Sequence, residues 1–174
     1  MPEVRALPAN SPSFPTKILL PIDFSPSSQA ALEMAADLAQ HFGADLYLVH
    51  VIPMFTATTL PDLAPQTEFI QEETATAEEH LTKCHAALAA RGIKAKTCIE
   101  VGNDTAGSIM EVVEREKIDL VVISTHGITG WHPLVFGSTA EKLVKMVQCP
   151  LLLLRSAKPD SSAKVTSKRP MEWW

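Results

Sequence analysis

Five short apolar segments alternate with four longer segments of helical periodicity along the middle of the chain. The apolar segments are predicted strands at Lys17–Ile22, Asp45–Ile52, Lys94–Val101, Asp119–Ser124 and Pro150–Arg155. Between them, apolar residues recur every three or four positions, which is the spacing of amphipathic helices. Because crossovers between parallel strands are almost always right-handed, this alternation permits few topologies. It predicts an α/β fold with a mostly parallel sheet.

Capping residues mark the ends of the predicted helices. Ser25 followed by Pro26 is typical of an N-cap with proline at the first helical position, and Gly43 is a C-terminal stop. A long second helix is predicted from Thr67 to Gly92, with Glu72, Glu73, Glu78 and Glu79 mostly facing water. The last two helices are predicted to begin near Asp104 or Thr105 and near Ser138. We therefore expect a Rossmann-like, five-stranded open sheet in the order 3-2-1-4-5 with helices on both faces.

A chain of 174 residues is long enough for one domain with a core of its own. We expect this domain at residues 17–155, after a flexible leader at residues 1–16. Residues 156–174 are polar, basic and interrupted by proline, and we expect them to form a disordered tail. Ligands of open parallel sheets bind beyond the carboxyl ends of the strands, where the strand order reverses. This rule points to Asp23, Val51 and the loop after Ser124.

Charge and hydropathy exclude several classes of partner. The net charge is −5 and the positive residues are scattered through the domain, so no basic face is predicted for nucleic acid. No segment has the length of apolar sequence that a secretory signal or a membrane span needs, and we expect a cytoplasmic protein. The three cysteines lack the paired spacing of a zinc site, and we expect buried, reduced thiols at Cys84, Cys98 and Cys149.

The segment from Ser124 to Ser138 joins a predicted buried strand to a helix and carries Gly127, Gly130 and Gly137. Glycines allow backbone amides to approach an anion, and the start of a helix offers free N–H groups and the positive end of a dipole. The pattern is compatible with phosphate binding, and equally with glycines that only form turns. The histidines near this region, His50, His126 and His132, are predicted to bond to backbone rather than to act as bases.

Longer stretches of sequence resemble the universal stress protein family. They are PIDFS at 21–25, LVHV at 48–51 and STHGITGWHPLVFGSTAEKLVKMVQCPLLLLR at 124–155. The nucleotide motif of the family is G-x-x-G, nine residues, then G-[S/T]. This chain has the same spacing, with Ser124 at the first glycine position and Ile128 where a basic residue is frequent. The resemblance covers Lys17 to Arg155.

The resemblance implies that the domain binds ATP or a related adenine nucleotide, with or without Mg²⁺. Asp23 would lie near the ribose, and Val51 and Ile123 would lie against the adenine. The residues implied to line the phosphates are Gly127, Gly130, Gly137, Ser138 and Thr139. The resemblance also implies a homodimer, which we expect to form through the apolar edge strand Leu151–Leu154.

Three functions remain open at this point. The resemblance favours a dimeric binding and signalling module whose surface changes with nucleotide state. A slow ATPase or phosphotransferase would use the same loop, and for this role only Asp23 is an evident metal-binding carboxylate. A dimer that binds no nucleotide is the third function, since the family includes such members.

Overall fold

The computed structural model describes residues 14–54, 66–125 and 137–155. Strands and helices alternate through these residues in the predicted order. They are β1 (Lys17–Pro21), α1 (Pro26–Phe42), β2 (Asp45–Pro53), α2 (Gln66–Ala90), β3 (Ala95–Gly102), α3 (Thr105–Glu116), β4 (Leu120–Ser124), α4 (Ser138–Met146) and β5 (Leu151–Leu154). Each predicted strand is present, with its ends displaced by at most one residue. The predicted leader up to residue 13 and the predicted tail lie outside the described residues.

The sheet has the order β3-β2-β1-β4-β5, and each pair of neighbouring strands is parallel. Ile18 of the central strand pairs with Leu46 of β2 on one side and with Leu120 of β4 on the other. The predicted Rossmann-like topology is confirmed. The direction of winding reverses between β1 and β4, so the segments that leave these two strands diverge and open a cleft at the carboxyl edge of the sheet.

Two apolar layers cover the two faces of the sheet. Ile18 and Leu20 of β1 pack in a cluster with residues of α1 and α2, whereas Leu19 packs in a second cluster with residues of α3 and α4. All three side chains are fully buried, as expected for a central parallel strand covered on both faces. In the part of the chain that the structure describes, no helix is both long enough and apolar enough to cross a membrane.

The predicted caps of α1 are present. Ser25 has an extended backbone, and its Oγ accepts a hydrogen bond of 3.2 Å from the N–H of Ser28. Gly43 has a left-handed backbone with φ of 66° and donates its N–H to the carbonyl of Ala39, which ends the helix. Asp104 occupies the N-cap position of α3 without making a side-chain capping bond.

The prediction for the cysteines was right for one residue and wrong for two. Cys84 is buried in the apolar stripe of α2, and burial raises the pKa of its thiol to about 11. Cys98 and Cys149 are only partly buried. Cys98 lies on the edge strand β3, and Cys149 lies in the connection that enters the other edge strand, so neither has neighbours on all sides.

Candidate functional site

A cleft of about 370 Å³ opens at the carboxyl edge of the sheet, within the size range of small-molecule sites. It lies where the ends of β1, β2 and β4 meet the beginnings of α3 and α4. Six of the predicted site residues line it, namely Asp23, Val51, Ile123, Gly137, Ser138 and Thr139. The other two, Gly127 and Gly130, lie outside the described residues. The structure thus brings residues from three distant parts of the sequence into one site.

Asp23 follows β1 and enters the turn before α1. Its Oδ1 accepts two hydrogen bonds from Ser25, one of 3.1 Å from the backbone N–H and one of 2.6 Å from the hydroxyl. The same Ser25 hydroxyl oxygen caps α1 through Ser28. The carboxylate is therefore part of the turn that starts the helix and also lines the cleft. These bonds fix its orientation before any ligand arrives.

Two branched apolar residues form the inner part of the cleft. Val51 lies near the end of β2 and Ile123 near the end of β4, with β1 between them. Both pack in the second apolar cluster and so lie on the same face of the sheet. Because neighbouring strands are about 4.8 Å apart, β2 and β4 are separated by roughly 10 Å. By the register of the sheet, Val51 lies two residues further along its strand than the position level with Ile123, and the two side chains form an apolar slot in the cleft.

The opposite side of the cleft is the beginning of α4. Gly137 is the N-cap residue, with φ of −59°, and it supplies no capping side chain. Its N–H donates to the carbonyl of Thr125 at 2.8 Å, which attaches the helix start to the end of β4. The amides of the first helical turn, including Ser138 and Thr139, have no acceptor within the helix and lie at its positive end.

Nothing in the described fold requires a glycine at position 137. Its φ is one that any L-residue adopts, and a Cβ added there would lie 3.4 Å from the Thr125 carbonyl oxygen, an ordinary contact. The absent side chain therefore does not relieve backbone strain. Its effect is to leave the backbone at the start of α4 accessible from the cleft.

Several lining residues were not predicted. Thr105 and Ile109 extend the cleft along α3, and His50 lines it beside Val51. His50 bonds to backbone, as predicted, with its Nδ1 2.8 Å from the carbonyl oxygen of Ile22. The start of α3 could have been found from the topology, since every helix that follows a parallel strand begins at the same edge of the sheet.

An ion pair ties the two helices that border the cleft. Lys142 Nζ of α4 lies 2.9 Å from Asp104 Oδ1, directly before α3. The hydrogen bond from Lys142 holds the pKa of the Asp104 carboxyl below its usual value. Among the described residues, no three or more His, Cys, Asp or Glu side chains gather where they could hold a metal ion.

Comparison with known proteins agrees with this architecture. The family model for the universal stress protein family matches residues 15–155. Universal stress protein MJ0531 of Methanocaldococcus jannaschii is 31% identical over 147 residues, covering 83% of this chain and 84% of that protein. The solved universal stress protein UspA of Lactobacillus plantarum is 26% identical, covers 83% of this chain and 100% of that chain, and superposes with a TM-score of 0.72.

Two more distant structures were solved with adenine nucleotides. A universal stress protein from Archaeoglobus fulgidus in complex with dAMP is 18% identical, with a TM-score of 0.59 over 79% of this chain and 96% of that one. Another universal stress protein, in complex with cAMP, is also 18% identical, with a TM-score of 0.55 over 82% of this chain and 98% of that one. At this identity the likeness concerns the fold alone. The family match over the whole described domain and the 31% identical relative establish that this chain belongs to the universal stress protein family.

Proposed function

We propose that this protein is an adenine-nucleotide-binding module of the stress response that holds ATP in the cleft at the carboxyl edge of its sheet. One observation carries the proposal: a carboxylate, an apolar slot and the start of a helix lie around a single cleft. These are the three kinds of group that a ribose, a purine base and a phosphate chain need.

The nucleotide would lie across the cleft with its base in the slot between Val51 and Ile123. Branched apolar side chains exclude water from the two faces of a flat ring, which favours burial of the base. Asp23 accepts hydrogen bonds from the ribose hydroxyls, in the manner of an acidic residue at a strand end. The structures of distant family members with dAMP and cAMP support an adenine nucleotide as the class of ligand.

The phosphates would lie at the start of α4, against the backbone of Gly137 and the hydroxyls of Ser138 and Thr139. The amides there have no acceptor within the helix, and the helix dipole favours negative charge. A glycine that the fold itself does not require supports this placement, because a phosphate approaching the backbone does require the space of the missing Cβ. Gly127 and Gly130 would complete the same loop.

Magnesium fits this proposal as a companion of the triphosphate. Mg²⁺ usually keeps several waters and is bound by one or two carboxylates together with phosphate oxygens. Asp23, the carboxylate that lines the described part of the cleft, is placed on the ribose here and would reach such an ion through one of its waters. When bound, the ion would neutralise phosphate charge at the mouth of the site.

Nucleotide content of the purified protein tests the proposal. Native mass spectrometry of the intact protein, with chromatography of the nucleotide released on denaturation, should reveal ATP or a related adenine nucleotide. Protein that carries none, and binds none when ATP is added, is the nucleotide-free family member instead. A turnover assay with Mg²⁺ then separates a binding module, which leaves ATP intact, from a slow ATPase or phosphotransferase.

We also propose that the protein is a homodimer paired through β5. The four leucines at Leu151–Leu154 are all partly exposed, and in the described chain β5 has a neighbour on one side only. The other edge strand, β3, carries two charged residues, Lys96 and Glu100, and Glu100 forms an ion pair of 2.7 Å with Arg115 of α3. Charged side chains on an edge strand oppose pairing with another strand. The contrast favours β5 as the edge that pairs.

Replacing Leu152 and Leu154 with lysine should convert the dimer to monomer or to insoluble protein. Size-exclusion chromatography with light scattering measures the change. The matched control is Lys96→Leu with Glu100→Leu on β3, which should leave the mass of the native dimer unchanged at low protein concentration. A dimer that survives both leucine substitutions would refute pairing through β5.

The cytoplasmic location stays a prediction from the sequence.

A further inference from the structure

The backbone next to Asp23 has an unusual conformation. Phe24 has φ of 59°, in the left-handed region that bulky side chains rarely adopt. Among the described residues other than glycine, only Lys117 shares a positive φ, and it ends a helix, where this conformation is common. Phe24 lies instead between a residue of the cleft and the N-cap of α1. Such strain persists only where the surrounding structure holds it.

The ring of Phe24 is held by two histidines from different elements. Its centroid lies 4.8 Å from that of His50 on β2, with the planes tilted by 33°. It also lies 4.8 Å from the ring of His80 on α2, in an edge-to-face arrangement of 84°. Both distances are in the range of favourable aromatic contacts. The ring therefore joins the second strand and the second helix at the turn that carries Asp23.

His50 also holds the backbone on the other side of Asp23. Its Nδ1 lies 2.8 Å from the carbonyl oxygen of Ile22, and since a carbonyl only accepts, Nδ1 carries the proton. The residue before Asp23, Ile22, is therefore held by a hydrogen bond, and the residue after it, Phe24, is held by ring packing. Ser25 then fixes the carboxylate itself through two donated bonds.

We propose that Phe24 is a positioning residue for nucleotide binding: its ring, packed against His50 and His80, keeps the turn in the left-handed conformation that points Asp23 into the cleft. This inference rests on the proposed function, because the benefit of a fixed carboxylate is measured as ligand affinity. A pre-arranged group loses less freedom when the ligand binds. The position of α2 then contributes to affinity through His80, although α2 does not line the cleft.

Three substitutions distinguish what the Phe24 ring contributes to ATP affinity from what the strained backbone contributes. Phe24→Ala removes the ring and should weaken ATP binding about tenfold or more. Phe24→Gly also removes the strain, and it should weaken binding as well, because the turn is then free to move. Phe24→Tyr retains the ring contacts and should restore affinity to within about threefold of wild type. Phe69→Ala, at an exposed phenylalanine of α2, is the control and should bind as wild type does.

Isothermal titration with ATP, well below the melting temperature of each variant, gives the affinities. Amide hydrogen exchange in the ligand-free proteins gives a second readout, because faster exchange at the N–H of Ser25 and Ser28 reports a loosened turn. If wild type binds no ATP, the proposed function fails, while the exchange data still show whether Phe24 holds the turn. Wild-type affinity in folded Phe24→Ala, or in Phe24→Gly, would overturn the positioning role.

Discussion

The two sides of the cleft are built in different ways. The strand side, formed by Asp23 and Val51 at the ends of β1 and β2, consists of side chains that the protein holds in place itself: Ser25 fixes the carboxylate of Asp23. The helix side, formed by Gly137, Ser138 and Thr139 at the start of α4, consists mainly of backbone, and its N-cap residue provides no capping group.

The two sides therefore recognise a ligand in different ways. Fixed side chains of defined shape and charge discriminate between ligands, as a base and a sugar require. Backbone amides at a helix start bind any anion that can reach them. The strand side should therefore tolerate conservative changes that keep its chemistry, whereas the helix side should be sensitive to any added atom.

The largest effect is expected from closing the helix side. Gly137→Val places a branched side chain over the amides at the start of α4 and should abolish ATP binding measurable by isothermal titration. Gly137→Ser is the more informative companion, since serine is a good N-cap and should keep or slightly raise the melting temperature while still reducing affinity. If both variants lose ATP binding and also lose the circular dichroism signal of the folded protein, Gly137 is required for folding and not for binding.

Removing the carboxylate of the strand side should have a smaller effect. Asp23→Ala is expected to weaken ATP binding by about 1–3 kcal/mol, the cost of leaving a polar ligand group unpaired. Asp23→Asn keeps an acceptor for Ser25, so it should retain the turn and lose only part of the affinity. Asp45→Ala, at the opposite edge of the sheet, is the control. Equal titration curves for all four proteins would remove Asp23 from the site.

The fold was predictable from the sequence because most of it is set locally. Ser25 and Pro26 begin the first helix and Gly43 ends it, through the backbone preferences of these residue types. The apolar strands are stable only where they are buried. Asp23 and Gly137 were predictable as neighbours because parallel strands end at one edge. The left-handed Phe24 was not predictable, since intrinsic preference argues against it and only its contacts with two distant rings stabilise it. The partial exposure of Cys98 was, by contrast, predictable, because the predicted strand order already placed β3 at the edge of the sheet.

Hydroxyl groups on the helix side should contribute less to ATP affinity than the backbone amides of that side. Thr139→Val keeps the shape of the side chain and removes one hydroxyl, so ATP affinity should fall by about 0.5–1.5 kcal/mol. Thr76→Val makes the same change on an exposed part of α2 and should not alter the affinity. A loss as large as that of Gly137→Val would show that side chains, not amides, dominate this side.

The smallest effect is expected from the ion pair that joins the helix side to α3. Asp104→Asn should lower the melting temperature by about 1–2 °C at neutral pH, because the pair is exposed and screened. Lys142 lowers the pKa of Asp104 in the folded protein, so this stabilisation is present above the ordinary carboxyl pKa and is lost as pH falls through the lowered one. Thermal melts of both proteins should therefore converge in acid. A difference in melting temperature that persists in acid would show that Asp104 stabilises the protein by something other than this ion pair.

A crystal structure of the protein grown with ATP would test the proposed nucleotide site, because it locates every part of the ligand at once. We expect the adenine between Val51 and Ile123, the ribose hydroxyls on Asp23, and the phosphates against the backbone from Gly137 to Thr139. A nucleotide bound elsewhere on the molecule, or an empty cleft at saturating ATP, would contradict it.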